Sequence, residues 1–235
     1  MLMSPIESNT WLVLIAVISY IIGSFPTAYF VTKGMIGKDI RLEGSRNVGA
    51  MNAYRLIQNE KSGKLAVTGL AVITATDIGK GILAIAITRW LGFLGYNPAI
   101  ALIIGSLFVI LGHNYLFCFK FKEGGRGIAT FMGILLALNA PSLPIWGGTL
   151  ILSIIVAQYL LIGKMDWSRL SAVFSVLGAQ VVGRVAGMGI ALVPLYFFDP
   201  QLFFPVLATT ILILIRHIDR VRVYIRELPI VKSRG

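Results

Sequence analysis

Long apolar runs separated by short polar segments dominate this chain. Seven runs have this character, near residues 11–31, 66–88, 98–117, 128–141, 144–162, 170–198 and 202–215. An α-helix needs about 20 residues to cross a bilayer core of roughly 30 Å, and most of the runs approach that length. The pattern predicts an all-α fold, a polytopic membrane helix bundle of about seven transmembrane helices, formed as a single domain over residues 1–235.

Basic residues are distributed unevenly among the segments between the runs. Eighteen of the 21 Lys and Arg residues fall in alternate segments, at 33–64, 120–126, 164–169 and 216–234. The opposite segments contain only Arg89, and Lys80 and Arg184 lie inside runs. Lys and Arg are retained on the cytoplasmic side during insertion, so the N-terminus is predicted outside and the C-terminus in the cytoplasm.

Composition excludes an ordinary soluble domain, since 57% of residues are hydrophobic, 13% are charged and the mean hydropathy is +0.83. The net charge is +11, and the basic residues lie between apolar runs. This distribution favours anionic lipid headgroups or an anionic substrate, rather than nucleic acid, as the binding partner. Cys118 is the only cysteine, so no intrachain disulfide can form, and we expect it to be buried. The N-terminus lacks the basic residues of a cleaved signal peptide, so the first helix is expected to remain.

The first segment with phosphate-binding character is Gly-Ser-Arg-Asn-Val-Gly-Ala-Met-Asn-Ala-Tyr-Arg at 44–55. Glycines such as Gly49 allow successive backbone N–H groups to converge on an anion. Neutral side-chain donors and a planar guanidinium are added by Ser45, Asn47, Asn52 and Arg55. The alternative is an ordinary polar turn that leads into a helix.

The second segment, 112–127, combines His113 with a glycine-rich stretch at a predicted helix start, composed of Gly124, Gly125, Arg126 and Gly127. Backbone donors, the positive end of the helix and the Arg126 guanidinium together favour a phosphate there. In the alternative interpretation, Lys120 and Lys122 simply extend to lipid headgroups.

The third segment ends the last run with Arg216 and His217. The histidine is either a phosphate ligand or proton acceptor, or part of a basic juxtamembrane anchor.

Three ionisable residues lie inside apolar runs, where each costs about 2.5–3.5 kcal/mol on insertion scales and normally faces a partner. Asp77 and Lys80 are three residues apart and share a helix face, so they either pair with each other or serve a site. Arg184 lies between Gly183 and Gly187, a spacing that predicts close helix packing, with the arginine needing either an internal partner or a helix tilt that lets it reach water.

Taken together, these residues resemble the bacterial membrane acyltransferases that transfer an acyl chain from acyl phosphate to glycerol 3-phosphate. The resemblance spans nearly the whole chain, and its motifs are residues 23–29, 44–52 with Arg55, Asp77 with Lys80 and Gly81, 112–115, 121–122, 124–130, Ser168, Ser171, and Arg216 with His217.

The resemblance implies a seven-helix fold in which loops near 33–64, 118–127 and 216–222 enclose one pocket. It implies acyl transfer to the 1-hydroxyl of glycerol 3-phosphate, giving lysophosphatidic acid and phosphate, as a first committed step of phospholipid synthesis. The expected location is the bacterial inner membrane, with the active site facing the cytoplasm. Acyl phosphate, glycerol 3-phosphate and membrane lipid are the expected partners, and no cofactor or metal is expected.

Because an acyl phosphate is already a reactive mixed anhydride, the chemistry needs orientation and charge stabilisation but no covalent nucleophile. The hydroxyl proton is expected to pass to a substrate phosphate oxygen. The predicted catalytic residues are Ser45, Asn47 and His217. The predicted substrate-binding residues are Gly49, Asn52, Arg55, Lys80, His113, Gly124, Gly125, Arg126, Gly127, Ser168 and Arg216.

This chain departs from the family pattern in each motif. Arg46 stands where glycine is usual, Met51 where threonine is, and Arg126 where lysine is, while Glu123 looks inserted. After His217 the usual Arg-Glu-Asn is replaced by Ile218, Asp219 and Arg220. Two alternatives therefore stay open: a transporter or channel for a phosphorylated anion, and a non-catalytic lipid-binding paralogue.

Overall fold

The computed structural model describes residues 5–92, 97–122, 124–163, 165, 167, 176–177 and 180–227. Within these ranges the chain is helical and contains no β-strand, which confirms the all-α prediction. The α-helices are α1 Pro5–Gly23, α2 Thr27–Ile36, α3 Ala50–Glu60, α4 Gly63–Gly92, α5 Pro98–Asn114, α6 Ile128–Asn139, α7 Ser142–Ile162, α8 Val181–Ile190, α9 Leu192–Phe198, α10 Phe203–Ile215 and α11 Ile218–Glu227. Short 3₁₀ turns lie at Phe117–Phe119 and Pro200–Leu202.

Five segments of the described chain are long and apolar enough to cross a membrane, and they are Asn9–Ile36, Gly63–Gly92, Pro98–Phe119, Ser142–Ile162 and Val181–Phe198. A sixth is possible if α10 and α11, bent by 42°, form one span. Helix α6 is apolar but has 12 residues, about 18 Å at 1.5 Å per residue, which is shorter than the bilayer core. A polytopic membrane fold is thus confirmed, while the count of seven and the sidedness stay predictions.

The chain forms two compact units, Met1–Ala140 and Pro141–Gly235, where the sequence predicted a single domain. Helices α1 to α6 belong to the first unit, and α7 to α11 to the second.

Glycines allow the helices of the first unit to approach backbone to backbone. A Cβ atom on Gly112 of α5 would lie 2.2 Å from the carbonyl oxygen of Tyr20 on α1. Likewise, a Cβ on Gly133 of α6 would lie 2.0 Å from the carbonyl oxygen of Ile78 on α4. This small-residue packing, common between membrane helices, fixes α5 and α6 against α1 and α4 at the level of the motif loops that follow α5 and precede α6.

The second unit confirms the predicted packing around Arg184. Gly183 and Gly187 of α8 face α7, and a Cβ on Gly183 would lie 2.5 Å from Cα of Ile154. The guanidinium of Arg184 donates a hydrogen bond of 2.8 Å to the carbonyl oxygen of Leu177.

Replacing Gly183 with alanine is expected to lower the free energy of unfolding by about 1–3 kcal/mol, because the added methyl group meets backbone that cannot rotate away. Gly189 of the same helix provides a matched control, since a Cβ there has no neighbouring atom within 4 Å. Thermal unfolding in detergent measures the stability of both variants, Gly183→Ala and Gly189→Ala. Equal melting temperatures for Gly183→Ala and Gly189→Ala would contradict the packing.

Candidate functional site

The loop before α3 is organised around the side-chain amide of Asn52. Its Nδ2 group donates to the carbonyl oxygens of Ile40, Glu43 and Asn47 at 3.4, 3.2 and 3.1 Å. Its Oδ1 atom accepts from the backbone N–H of Ser45 at 3.0 Å, and the residue is buried. The amide groups of Asn52 are thus used within the protein, so this predicted substrate ligand has a structural role in shaping the loop.

Several loop amides that the sequence assigned to an anion are also used within the protein. The backbone N–H of Ser45 donates a hydrogen bond to Oδ1 of Asn52. The N–H groups of Arg46, Val48 and Gly49 donate to the carbonyl oxygens of Glu43, Gly124 and Asn47, respectively. These four N–H groups therefore already have acceptors within the protein, and the binding of an anion by this segment stays a prediction. A Cβ at Gly49 would lie 2.6 Å from Nδ2 of Asn47, so a larger residue there would displace the Asn47 side chain.

Arg46 has a left-handed backbone with φ of 57°, the same value as Gly44 two residues earlier. A non-glycine residue carries a steric cost of roughly 1–2 kcal/mol in this region. The conformation explains why glycine suits position 46, where this chain departs from the family pattern.

We expect the variant Arg46→Gly to be about 1 kcal/mol more stable than Arg46→Ala, because only glycine removes the steric cost at positive φ. The two variants lose the same charge, so their difference in thermal unfolding reports the backbone alone. If Arg46→Ala matched or exceeded Arg46→Gly in stability, position 46 would not be left-handed.

The second motif loop packs directly on the end of α5 and on the first motif loop. The N–H of Val48 donates to the carbonyl oxygen of Gly124 at 3.3 Å, and the N–H of Gly125 donates to that of His113 at 3.0 Å. A Cβ on Gly124 would lie 2.2 Å from the carbonyl oxygen of Asn114, and one on Gly125 would lie 2.0 Å from Nε2 of His113. Only glycine at both positions permits this arrangement.

Both motif loops lead into the N-terminus of a helix. Helix α3 begins after Gly49 and α6 begins after Gly127, whose φ is 80°. In the structure as described, neither N-cap residue makes a side-chain capping hydrogen bond. The first-turn N–H groups therefore carry the positive end of each helix dipole toward the joined loops, an arrangement suited to anions.

A second connection between the two loops runs through Arg41, which the sequence analysis missed. Its guanidinium forms a bidentate ion pair with Asp39, with contacts of 2.9 and 2.6 Å. It also stacks on the ring of Phe119, 4.3 Å from the centroid, and lies 5.4 Å from the ring centroid of Tyr29. The hydrogen bond from Arg41 lowers the pKa of the Asp39 carboxyl below its ordinary value. The spacing of Asp39 and Arg41 could have indicated their ion pair, but the contact with Phe119 could not be predicted because that residue is distant in the sequence.

A buried ion pair lies at the break in the first span and donates a hydrogen bond to the backbone there. Pro26 separates α1 from α2, and the carbonyl oxygen of Phe25 accepts a hydrogen bond of 3.0 Å from the N–H of Thr27. The ammonium group of Lys80 donates to this oxygen and to Oδ1 of Asp77, each at 2.6 Å, and both charged residues are buried. The pairing predicted for Asp77 and Lys80 is confirmed, and it balances the Lys80 charge locally.

The ion pair forms the polar end of a small open cleft. Nδ1 of His113 lies 3.8 Å from Oδ1 of Asp77 and forms a hydrogen bond of 3.2 Å with Oγ1 of Thr130 at the start of α6. The remaining walls are mostly apolar, composed of Phe25, Pro26, Thr27, Ala28, Val48 and Leu116. The first five lie within the motifs at 23–29 and 44–52, but the sequence analysis assigned them no role, and it did not single out Leu116.

The other predicted residues are placed as follows. The side chain of Arg55 is half-buried on α3 and makes no hydrogen bond or ion pair with the residues that the structure describes. Arg126 is half-buried just before α6. Arg216 and His217 lie in the second unit, where the buried His217 ring forms a hydrogen bond of 2.8 Å between Nδ1 and the carbonyl oxygen of Ile213. Ser168 and Glu123 lie outside the described residues.

Cys118 is exposed on the 3₁₀ turn after α5, so the expectation that it is buried was wrong. The apolar run was taken as continuous, whereas α5 ends at Asn114 and the following turn directs this residue outward. Across the described part of the chain, no group of three or more His, Cys, Asp or Glu side chains is arranged to bind a metal ion.

Comparison with known proteins identifies the family and the fold of this chain. The sequence profile described as "Glycerol-3-phosphate acyltransferase" matches residues 13–227. The chain belongs to this family. It is 38% identical to glycerol-3-phosphate acyltransferase 2 of Moorella thermoacetica over 156 residues, which cover 66% of this chain and 72% of that relative. It is 29% identical to glycerol-3-phosphate acyltransferase of Staphylococcus saprophyticus over 227 residues, or 94% and 98% of the two chains.

The fold of this family is also known from crystal structures. The glycerol 3-phosphate form of PlsY (YgiH), an integral membrane glycerol 3-phosphate acyltransferase, is similar with a TM-score of 0.62 and 21% sequence identity. The match covers 90% of each chain. The lysophosphatidic acid form gives a TM-score of 0.60 at 20% identity. The architecture of this chain is therefore that of a known integral membrane fold.

Proposed function

We propose that this protein transfers an acyl group from acyl phosphate to the 1-hydroxyl of glycerol 3-phosphate. The hydroxyl oxygen forms an ester bond to the acyl carbonyl carbon, and the bond from that carbon to the phosphate oxygen breaks. The hydroxyl proton leaves on the released phosphate, so the products are lysophosphatidic acid and inorganic phosphate. The observation that carries this proposal is the hydrogen bond between Val48 and Gly124, which joins the two motif loops that lead into the N-termini of α3 and α6.

Each helix N-terminus is assigned one phosphate group. At α3, the first-turn N–H groups of Ala50 and Met51 and the guanidinium of Arg55 bind one of them. At α6, the first-turn N–H groups and Arg126 bind the other. Two phosphate sites beside one junction are what the reaction needs, because the donor and the acceptor each carry one phosphate and must meet with their reacting atoms in contact.

The remaining residues divide into ligands and supports. Ser45 is exposed and Asn47 half-buried on the first loop, so their side chains are available to orient the hydroxyl and stabilise charge on the carbonyl oxygen. Asn52 and Lys80 act as supports, because their polar groups are bonded within the protein. Arg216, His217 and Ser168 stay predictions as ligands of the same substrates.

One experiment on sealed proteoliposomes distinguishes acyl transfer from the rival activity, transport of a phosphorylated anion. Labelled glycerol 3-phosphate and acyl phosphate are added outside, and label is followed in the lumen and in the lipid fraction. We expect label in the lipid fraction and no luminal uptake above that of empty vesicles. Luminal uptake without labelled lipid would overturn the proposal in favour of a transporter, and label in neither fraction would favour a non-catalytic lipid-binding protein.

We further propose that the site faces the cytoplasm of a bacterial inner membrane, as the uneven distribution of Lys and Arg predicts. Cys118 tests the orientation without mutation, because it is the only cysteine in the sequence and is exposed beside the second motif loop. A membrane-impermeant maleimide is expected to label inverted membrane vesicles and to leave intact spheroplasts unlabelled. Labelling of intact spheroplasts would contradict this orientation.

A further inference from the structure

The segment 116–122, Leu-Phe-Cys-Phe-Lys-Phe-Lys, which we call the interfacial turn, is a compact structure between α5 and the second motif loop. The N–H groups of Phe119 and Phe121 both donate to the carbonyl oxygen of Leu116, at 3.1 and 3.0 Å. The N–H of Lys120 donates to the carbonyl oxygen of Phe117 at 3.1 Å. These bonds give the turn a defined shape of its own.

The backbone of the interfacial turn is strained in a way that displays its side chains. Lys120 and Phe121 both have left-handed φ angles, 55° and 60°, which are unfavourable for residues with a side chain. Strain of this kind persists where the position has a use. Phe117 and Phe121 remain 56% and 61% exposed, and Lys120 and Lys122 are exposed between and beside them.

The position of the interfacial turn indicates what it contacts. The candidate span Pro98–Phe119 ends inside it, so the turn lies at the depth of the lipid headgroups. Aromatic rings prefer the boundary between headgroups and acyl chains, while lysine ammonium groups attract anionic lipid phosphates. The net charge of +11 adds to the attraction.

We propose that the interfacial turn is a binding site for anionic phospholipid. Lys120 and Lys122 contact the phosphate groups, and the rings of Phe117 and Phe121 insert at the headgroup boundary. None of these four side chains is among the predicted catalytic or substrate-binding residues, although the turn overlaps the motif loop near 118–127 and its Phe-Lys pair belongs to the family pattern. The proposal therefore does not depend on the reaction.

The test uses the full-length protein in zwitterionic detergent micelles with a fluorophore on Cys118, which lies within the turn. Phosphatidylglycerol with brominated acyl chains is titrated, and quenching gives its apparent affinity. Each lysine near an anionic surface contributes about a fivefold effect, so Lys120→Gln with Lys122→Gln is expected to weaken binding about 30-fold. The matched control is Lys61→Gln with Lys64→Gln, an exposed lysine pair before and at the start of α4.

Two outcomes overturn the proposal. One is equal loss, or no loss, in the two double variants, which would indicate a generic charge effect or none. The other needs no variant: equal quenching of the unmutated protein by brominated phosphatidylcholine and brominated phosphatidylglycerol. Because the readout is lipid binding, a protein without acyltransferase activity would still give a decisive result.

Discussion

Arg55→Ala is expected to reduce the turnover of glycerol 3-phosphate on the order of 10²-fold, the scale seen when one charge-stabilising donor is removed from an active site. Arg55 is half-buried five residues after the start of α3 at Ala50 and has no hydrogen bond or ion pair among the described residues, so its charge is available to a substrate phosphate. Steady-state rates with acyl phosphate as donor measure the effect.

Two further variants show whether Arg55 acts as a planar donor or only as a charge. Arg55→Lys keeps the charge but loses the bidentate geometry, so we expect it to recover part of the activity. Lys61→Ala, which removes an exposed cation just after α3, is expected to leave the rate unchanged. Near-normal turnover of correctly folded Arg55→Ala would remove this residue from the site.

Gly124→Ala is expected to abolish most activity, by about 10²-fold or more, because displacements of about 1 Å in an active site have effects of that size. The new Cβ would lie 2.2 Å from the carbonyl oxygen of Asn114 and 2.6 Å from that of His113. Backbone oxygens cannot rotate away, so the second loop must move off α5 and lose its bond to Val48. Rates and thermal unfolding are compared with those of the unmutated protein.

The matched control for Gly124→Ala is Gly79→Ala, on α4 next to Lys80, where an added Cβ has no neighbour within 4 Å. This variant is expected to keep both its stability and its rate. Full activity in Gly124→Ala would show that the second loop does not need the position that the structure gives it.

Local patterns in the sequence were sufficient to predict interactions within one helix and close contacts between helices at small residues. The spacing of Asp77 and Lys80 predicted their ion pair, and Gly183 with Gly187 predicted the contact of α8 with α7. The glycine-rich motifs correctly marked two loops that meet. In each case the signal lies within a few residues, where helix geometry determines which side chains are neighbours.

Long-range contacts could not be predicted in the same way. Asn52 was taken for a ligand because its four bonds lie in a loop whose path the sequence does not reveal. Lys80 was assigned to substrate phosphate because the acceptor at Phe25 is 55 residues away. Helix α6 was counted among the seven candidate spans although its apolar run, 128–141, is itself short, because hydropathy alone does not distinguish a short span from a buried helix.

The most direct test of the central claim is product formation by the purified protein in detergent with acyl phosphate and radiolabelled glycerol 3-phosphate. The proposal predicts one molecule of lysophosphatidic acid and one inorganic phosphate for each glycerol 3-phosphate consumed, and no labelled lipid when acyl phosphate is withheld. Absence of labelled lipid from folded protein that receives both substrates would contradict it.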